Sequence, residues 1–169
     1  MVVRAAKVSD AKDIAQVHVE TWQVAYRGQV PDHVLDGLSV EKRVETWRKT
    51  LLEKREHTFV AEVDHRVVGF SYADTTRDED KDPLVVGEIY SIYLLEEFWG
   101  EEMGAQLFEY ALSNLNERGF GEVMLWVLDG NKRARKFYEK MGFVADGAKK
   151  IEEREGYVLN EVRYHRLLK

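Results

Sequence analysis

The 169-residue chain has no cysteine. That excludes a disulfide framework, a zinc–thiolate site and a thiolate nucleophile. Proline occurs only twice, at Pro31 and Pro83, and no Pro/Ser-rich stretch divides the chain. One domain over residues 1–169 is expected, large enough to bury a core without staples. No apolar run approaches the roughly 20 residues of a membrane span. The first residues, Met1-Val2-Val3-Arg4, lack the apolar segment of a secretory signal. A soluble, cytoplasmic protein with no membrane partner is the expectation. Basic charge is in deficit: 25 Lys and Arg face 31 Asp and Glu, for a net −6. Without a basic stripe, binding of nucleic acid through its phosphates is not expected. The five histidines, His18, His33, His57, His65 and His165, show no metal-ligand spacing, so no metal is expected.

What is present is a regular alternation of strand and helix patterns. Residues 2–6 read as a short strand. Ser9-Asp10 offers a helix N-cap, followed by Ile14, Val17, His18 and Thr21-Trp22 at helical spacing, with Gly28 and Pro31 as breakers. Ser39 opens a second helix carrying Val44, Trp47 and Leu51 on one face. Thr58–Val63 and Val67–Tyr72 read as a hairpin turning at Asp64-His65. A polar loop, Asp74–Pro83, precedes a strand-like run from Val85 to Leu95. Val123–Leu128 is almost wholly apolar, as central strands are. Asn131–Met141 reads as a helix stopped by Gly142, and Val144-Ala145 and Tyr157–Leu167 as two final strands. The order β-α-α-β-β-β-α-β-α-β-β predicts a mixed α/β fold on one largely antiparallel sheet.

The stretch Val85–Arg118 carries the first chemical signal. Its strand runs into the turn Phe98-Trp99-Gly100-Glu101-Glu102-Met103-Gly104, and an amphipathic helix follows at once. Unpaired N–H groups at a helix start attract anions, usually phosphate. Glu96, Glu97, Glu101 and Glu102 crowd the same turn and oppose that attraction. Glutamates in a first helical turn also complement the dipole, so the helix start is expected to satisfy itself in part.

Three motifs together make the chain resemble the GNAT superfamily of N-acetyltransferases over nearly its whole length. Trp99-Gly100-Glu101-Glu102-Met103-Gly104 matches the pyrophosphate turn Gln/Arg-x-x-Gly-x-Gly/Ala, with Trp99 in place of Gln or Arg and Glu102 in place of the middle glycine. Asn131-Lys132-Arg133-Ala134-Arg135-Lys136-Phe137-Tyr138-Glu139-Lys140-Met141-Gly142-Phe143 is similar to the family's Asn-x-x-Ala-x-x-Phe-Tyr-x-x-x-Gly-Phe, with every fixed position kept. Arg4–Asp10 and Trp22–Gly28 resemble the polyamine acetyltransferase-like bacterial and archaeal branch. The resemblance implies a central, mostly antiparallel twisted sheet with helices on both faces. It also implies an acetyl-CoA donor and a small-molecule or peptide amine acceptor. Dimer contacts through the C-terminal strands are frequent in such folds.

The site residues follow from that resemblance. The main chain of Ile92, Tyr93 and Leu94 is expected to meet the pantetheine arm like a sheet partner. Trp99, Gly100, Glu101, Glu102, Met103, Gly104 and Ala105 are expected at the pyrophosphate, with Lys132, Arg133, Arg135 and Lys136 as compensating charges. Asn131 is expected at the thioester end, or as a plain N-cap, and Phe137 packs nearby. Tyr138 is the candidate acid for the leaving thiolate; spacing alone favours a core tyrosine with a satisfied hydroxyl, and the match to the family's Tyr position reverses that preference. Glu88 is the candidate base, read otherwise as a surface glutamate. Regular alternation would put it on one face with Tyr90, Ile92 and Leu94. Trp22 and Tyr26 are expected to wall the acceptor pocket, against the plain reading of Trp22 as core. The acidic loop Asp74–Asp82 is a candidate attractor for a cationic acceptor or simply a solvated loop. The alternatives left open are a non-catalytic or weakened acyl-CoA-binding or protein-binding module on the same fold, and transfer of another acyl group.

Overall fold

The computed structural model describes residues 1–100 and 102–168. Seven strands form one sheet: β1 (Val2–Ala5), β2 (Thr58–Val63), β3 (Arg66–Thr75), β4 (Val86–Leu94), β5 (Glu122–Leu128), β6 (Val144–Arg154) and β7 (Tyr157–Leu167). Their order across the sheet is β1-β2-β3-β4-β5-β7-β6. Every pairing is antiparallel except β4 with β5. A parallel pair needs a crossover, and the helix α4 (Met103–Glu117) supplies it.

The helices α1 (Ala11–Ala25), α2 (Asp32–Asp36) and α3 (Val40–Lys54) precede β2. Ser39 caps α3 by accepting from the Lys42 N–H, as its sequence position predicts. Asp10 does not cap α1 with its side chain. Its carboxylate instead accepts from the Lys7 N–H and from Arg4, which fastens β1 to the helix start. The short α2, unmarked by any apolar period, begins directly after Pro31. The two-residue turn at Asp64 and His65 holds positive φ at both, the turn type that matches strand twist.

Helices cover both faces. On one face Phe70 packs with His18 of α1 and Trp47 of α3. Its neighbour Gly69 points the other way, toward Leu107 of α4. The helix α5 (Lys132–Lys140) joins α4 on that second face, where Phe108, Phe137 and Tyr138 pack together.

Two irregularities shape the centre. First, β4 and β5 pair only over Val86–Glu88 and Glu122–Met124, after which the strands separate and leave a wedge. Second, β4 carries a bulge: Ser91 opposes Tyr72 and Ile89 opposes Ala73, so Tyr90 is the extra residue. A bulge reverses the alternation downstream. Glu88 and Tyr90 therefore lie toward the α1–α3 face, with Tyr90 against Tyr72. Leu94 reaches α4 at Gly104, so the expected single face of Glu88, Tyr90, Ile92 and Leu94 does not form.

Candidate active site

The wedge exposes one edge of β4. The Leu95 N–H donates to Val68, and the Tyr93 carbonyl faces Gly69, so both peptide groups turn toward β3. Strand geometry then turns the peptide groups of Ile92 and Leu94 toward the wedge. The main chain of Tyr93, expected at the cofactor, is thus used by the sheet; only its side chain faces the site. The Leu94 carbonyl accepts a bond of 2.6 Å from Trp99 Nε1.

The turn after β4 is built around one strained position. Gly100 takes φ +80°, where a side chain is disfavoured. Glu102 takes φ −71°, so the absent glycine there costs no backbone strain. The Glu102 side chain does not cap α4, contrary to the self-satisfied helix start expected from composition. Met103, Gly104 and Ala105 open the helix with half-buried positions. Glu101 lies outside the described residues. A Cβ on Gly104 would stand 3.6 Å from the Phe137 ring, so the glycine lets α5 close against α4.

Of the four cations expected to offset the glutamates, Arg133 is the one delivered. Its guanidinium stacks 3.4 Å above the Trp99 ring. Arg135 is taken by Asp129 at 2.7 Å and by the Tyr164 hydroxyl at 3.0 Å. Lys132 and Lys136 point to solvent.

Asn131 caps α5, its Oδ1 accepting from the Ala134 N–H at 3.2 Å. Its amide N–H groups remain for a ligand. Tyr138, four residues into the motif's second turn, packs among Phe108, Phe137, Phe143 and Tyr164. Its hydroxyl makes no hydrogen bond among the described residues, so the satisfied core tyrosine is not what forms. Burial raises its pKa, Tyr93 adds to the rise and Arg133 opposes it.

On the other side of the wedge, Trp22 and Tyr26 stack edge to face at 4.5 Å. Trp22 Nε1 donates to the Tyr93 hydroxyl at 3.1 Å. Beneath them His18 Nδ1 accepts from Trp47 Nε1, and burial pushes His18 down to about 3, so the ring is neutral. Burial also raises the pKa of Tyr26 and of Tyr93. Sequence reading missed the Tyr93 side chain here, because the bulge at Tyr90 alone turns it to this face.

Glu88 is not a surface glutamate and not a free base. It is 1% exposed. Its Oε1 accepts from the Arg77 N–H at 3.0 Å, and its Oε2 is paired with the Arg77 guanidinium. That guanidinium lies 3.9 Å over Tyr90. One residue thus occupies both oxygens, the backbone N–H one and the guanidinium the other. The expected acidic attractor is also largely consumed. Arg163, buried on β7, binds Asp78, Asp80 and Asp146, and Asp78 accepts from Trp126 Nε1. The loop is strapped to the sheet through Asp78 and Asp80, while Glu79, Asp80 and Asp82 stay exposed to solvent. Among the described residues no group of three or more His, Asp or Glu is placed to hold a metal. No described helix is long and apolar enough to cross a membrane.

Comparison with known proteins decides the family. The acetyltransferase (GNAT) family model matches residues 17–143. The chain belongs to the GNAT acetyltransferase family. An uncharacterized N-acetyltransferase of Archaeoglobus fulgidus is 38% identical over 140 residues, covering 82% of this chain and 89% of the relative. The uncharacterized N-acetyltransferase YuaI of Bacillus subtilis is 34% identical over 130 residues, covering 76% and 72%. The fold is similar to that of the PaiA N-acetyltransferase of Thermoplasma acidophilum, solved with coenzyme A, at TM-score 0.71, 18% identity and 98% coverage of both chains. It is also similar to YncA, an acetyltransferase of Salmonella typhimurium solved with acetyl-CoA, at TM-score 0.74, 16% identity and coverage of 100% and 94%. The GNAT match begins inside α1 and ends at Phe143, so it spans the wedge, the turn and the Asn131 motif. The whole β6–β7 hairpin lies beyond it.

Proposed function

We propose that this GNAT chain transfers an acetyl group from acetyl-CoA to a primary amine by direct attack in a ternary complex. One observation carries the reading: a protonated phenol, Tyr138, with no hydrogen bond among the described residues, faces a sheet edge that β5 leaves open. The residues present suit the donor. The Ile92 and Leu94 peptide groups supply a strand edge for an amide-bearing arm. Gly100 and Glu102 to Ala105 supply backbone N–H groups at a helix start, and Arg133 stands beside them. The indole bond from Trp99 to Leu94 competes with that arm and is broken or shared when it binds. Asn131 offers its amide, and Phe137 an apolar wall. Acetyl-CoA supplies the acyl group as a thioester.

The chain's own groups then have defined tasks. Tyr138 stays protonated across the working pH range and donates toward the sulfur that leaves. Trp22, Tyr26 and Tyr93 exclude water and hold the apolar stem of the acceptor. With no cysteine, no acyl-enzyme on sulfur forms. A polyamine-like or peptide amine acceptor, and a cytoplasmic location, belong to the same reading. Tyr138→Phe is expected to lower kcat by about 10²-fold, within the usual range for a positioned acid, with the acetyl-CoA Kd nearly unchanged. An unaltered kcat removes Tyr138 from the mechanism.

The glutamate-rich turn favours a second reading, a non-catalytic or weakened acyl-CoA-binding module. Calorimetry with acetyl-CoA separates the two: absence of binding at millimolar ligand sinks the enzyme reading.

A further inference from the structure

Two carboxylates flank the wedge on its α1 side, and they differ in one respect. Glu88 has both oxygens satisfied by Arg77. Glu161, on β7, accepts no hydrogen bond from an N–H or a hydroxyl of a described residue, and its hydrogen-bonding neighbour is another carboxyl, Glu152. Its side chain is only 13% exposed, and its one cation within reach is Lys150 Nζ at the 4.0 Å limit. Lys150 is shared: its Nζ lies 3.5 Å from Glu152 and 4.5 Å from the Trp126 ring centre. Glu152 has its own partner, Arg154 at 2.9 Å. Its oxygens are not among the fully buried unpaired atoms, so the carboxylate keeps contact with water and stays open to a ligand that donates hydrogen bonds.

Its position says which ligand. Glu161 is paired with Leu128, the last residue of β5, where β5 has already left β4. Leu128 and Leu159 pack with Trp22 and Tyr26. Alternation along β7 puts Leu159 and Glu161 on the same face, the intervening Asn160 being exposed. The carboxylate therefore borders the aromatic wall of Trp22, Tyr26 and Tyr93. Aromatic faces and a carboxylate without donors together select an organic cation.

We propose that Glu161 binds the ammonium group of a primary alkylamine acceptor and takes its proton before transfer. The inference rests on the acetyl-transfer reading above. The ammonium gives one proton to Glu161 and keeps a free lone pair. That pair forms the N–C bond to the acetyl carbon as the C–S bond breaks. Tyr138 gives its proton to the departing sulfur and recovers one from the second N–H of the attacking amine. Glu161 passes its proton to solvent, so the overall change is one amide, one thiol and one released proton.

The surroundings fit this task. Glu161 faces Lys150, Glu152 and Arg154 of β6, Tyr26 just after α1 and Tyr93 of β4. Burial raises its pKa; Glu152 adds to the rise, and Lys150 and Arg154 oppose it. A raised carboxylate narrows the gap to an ammonium near 10.

The test is a CoA-release assay on wild type, E161Q and E161D, with acetyl-CoA binding measured by calorimetry as the check of folding. E161Q should lower kcat/KM for alkylamines by about 10²-fold while acetyl-CoA affinity stays within about twofold, and E161D should restore part of the rate. A low-pKa acceptor such as a hydrazide, already unprotonated at neutral pH, should lose less than about tenfold. Equal losses for both acceptor types mean a structural role and overturn the inference. Equal rates in E161Q and wild type overturn it while leaving acetyl transfer intact. No amine-dependent release from wild type with any acceptor overturns both.

Discussion

The two sides of the wedge are made in different ways. The donor side comes from two contiguous segments, residues 92–105 and 131–138, each a strand or turn running into a helix. The proposed acceptor side is assembled from single residues far apart in the chain: Trp22 on α1, Tyr26 just after it, Tyr93 on β4 and Glu161 on β7. In the proposed reading, the cofactor is met by compact local geometry, mostly backbone, and the acceptor by side chains that only the finished sheet brings together. The family match ends at Phe143, before the strand that carries Glu161. Trp22, Tyr26 and Tyr93 lie inside that match, so of these four side chains Glu161 alone falls beyond it.

That contrast can be broken in graded ways. The largest stability effect is expected on the acceptor side. Arg163→Met strands Asp78 and Asp146 without their cation and should cost about 3–5 kcal/mol by denaturant unfolding. The acceptor side would then stand free of the loop if stability were unchanged. Acid is the next probe. An unfolded chain protonates His18 below about 6.5, the folded one only near 3. The stability from neutral His18 is full above about 6.5 and is lost as pH falls toward 3, amounting to about 3 kcal/mol by pH 4.5. His18→Gln should flatten that slope; an unchanged slope would show that the aromatic wall does not depend on a neutral ring.

Donor-side changes are expected to be smaller, because the backbone carries most of the contact. Gly100→Ala strains a position at φ +80° and should cost about 1–2 kcal/mol with weaker acetyl-CoA binding. Arg133→Met removes the cation stacked on Trp99. It should weaken acetyl-CoA binding about three- to tenfold and reduce its salt dependence, as a partly exposed charge does. Glu102→Gly removes like charge without relieving strain, so tightening of only about two- to threefold is expected; equal affinity would refute the charge conflict at the turn.

Legibility in the sequence follows the same division. Period-2 and period-3.6 patterns located β2, β4, β5, α1, α3 and α5 because each has an apolar face. Strand β6 spans Val144–Arg154, although only Val144-Ala145 showed in the pattern. It is an edge strand whose half-buried positions are Asp146, Ala148, Lys150 and Glu152, so charge rather than apolarity alternates. Gly147, at φ +89° beside a register shift, further hides it. The site divides likewise. Asn131, Phe137, Tyr138 and the Gly100–Ala105 turn were legible as motifs. The Tyr90 bulge, which turns Tyr93 to the acceptor, has no local signature. Nor has the pairing of Glu88 with Arg77, which needs the β3–β4 loop to fold back.

The most direct measurement is the release of free CoA from acetyl-CoA across a panel of polyamines, amino acids, aminoglycosides and peptide N-termini. Saturable release that depends on the amine, with the acetylated amine formed in equal amount, is the predicted result. Release no faster than with water alone, for every amine, would contradict acetyl transfer in this wedge.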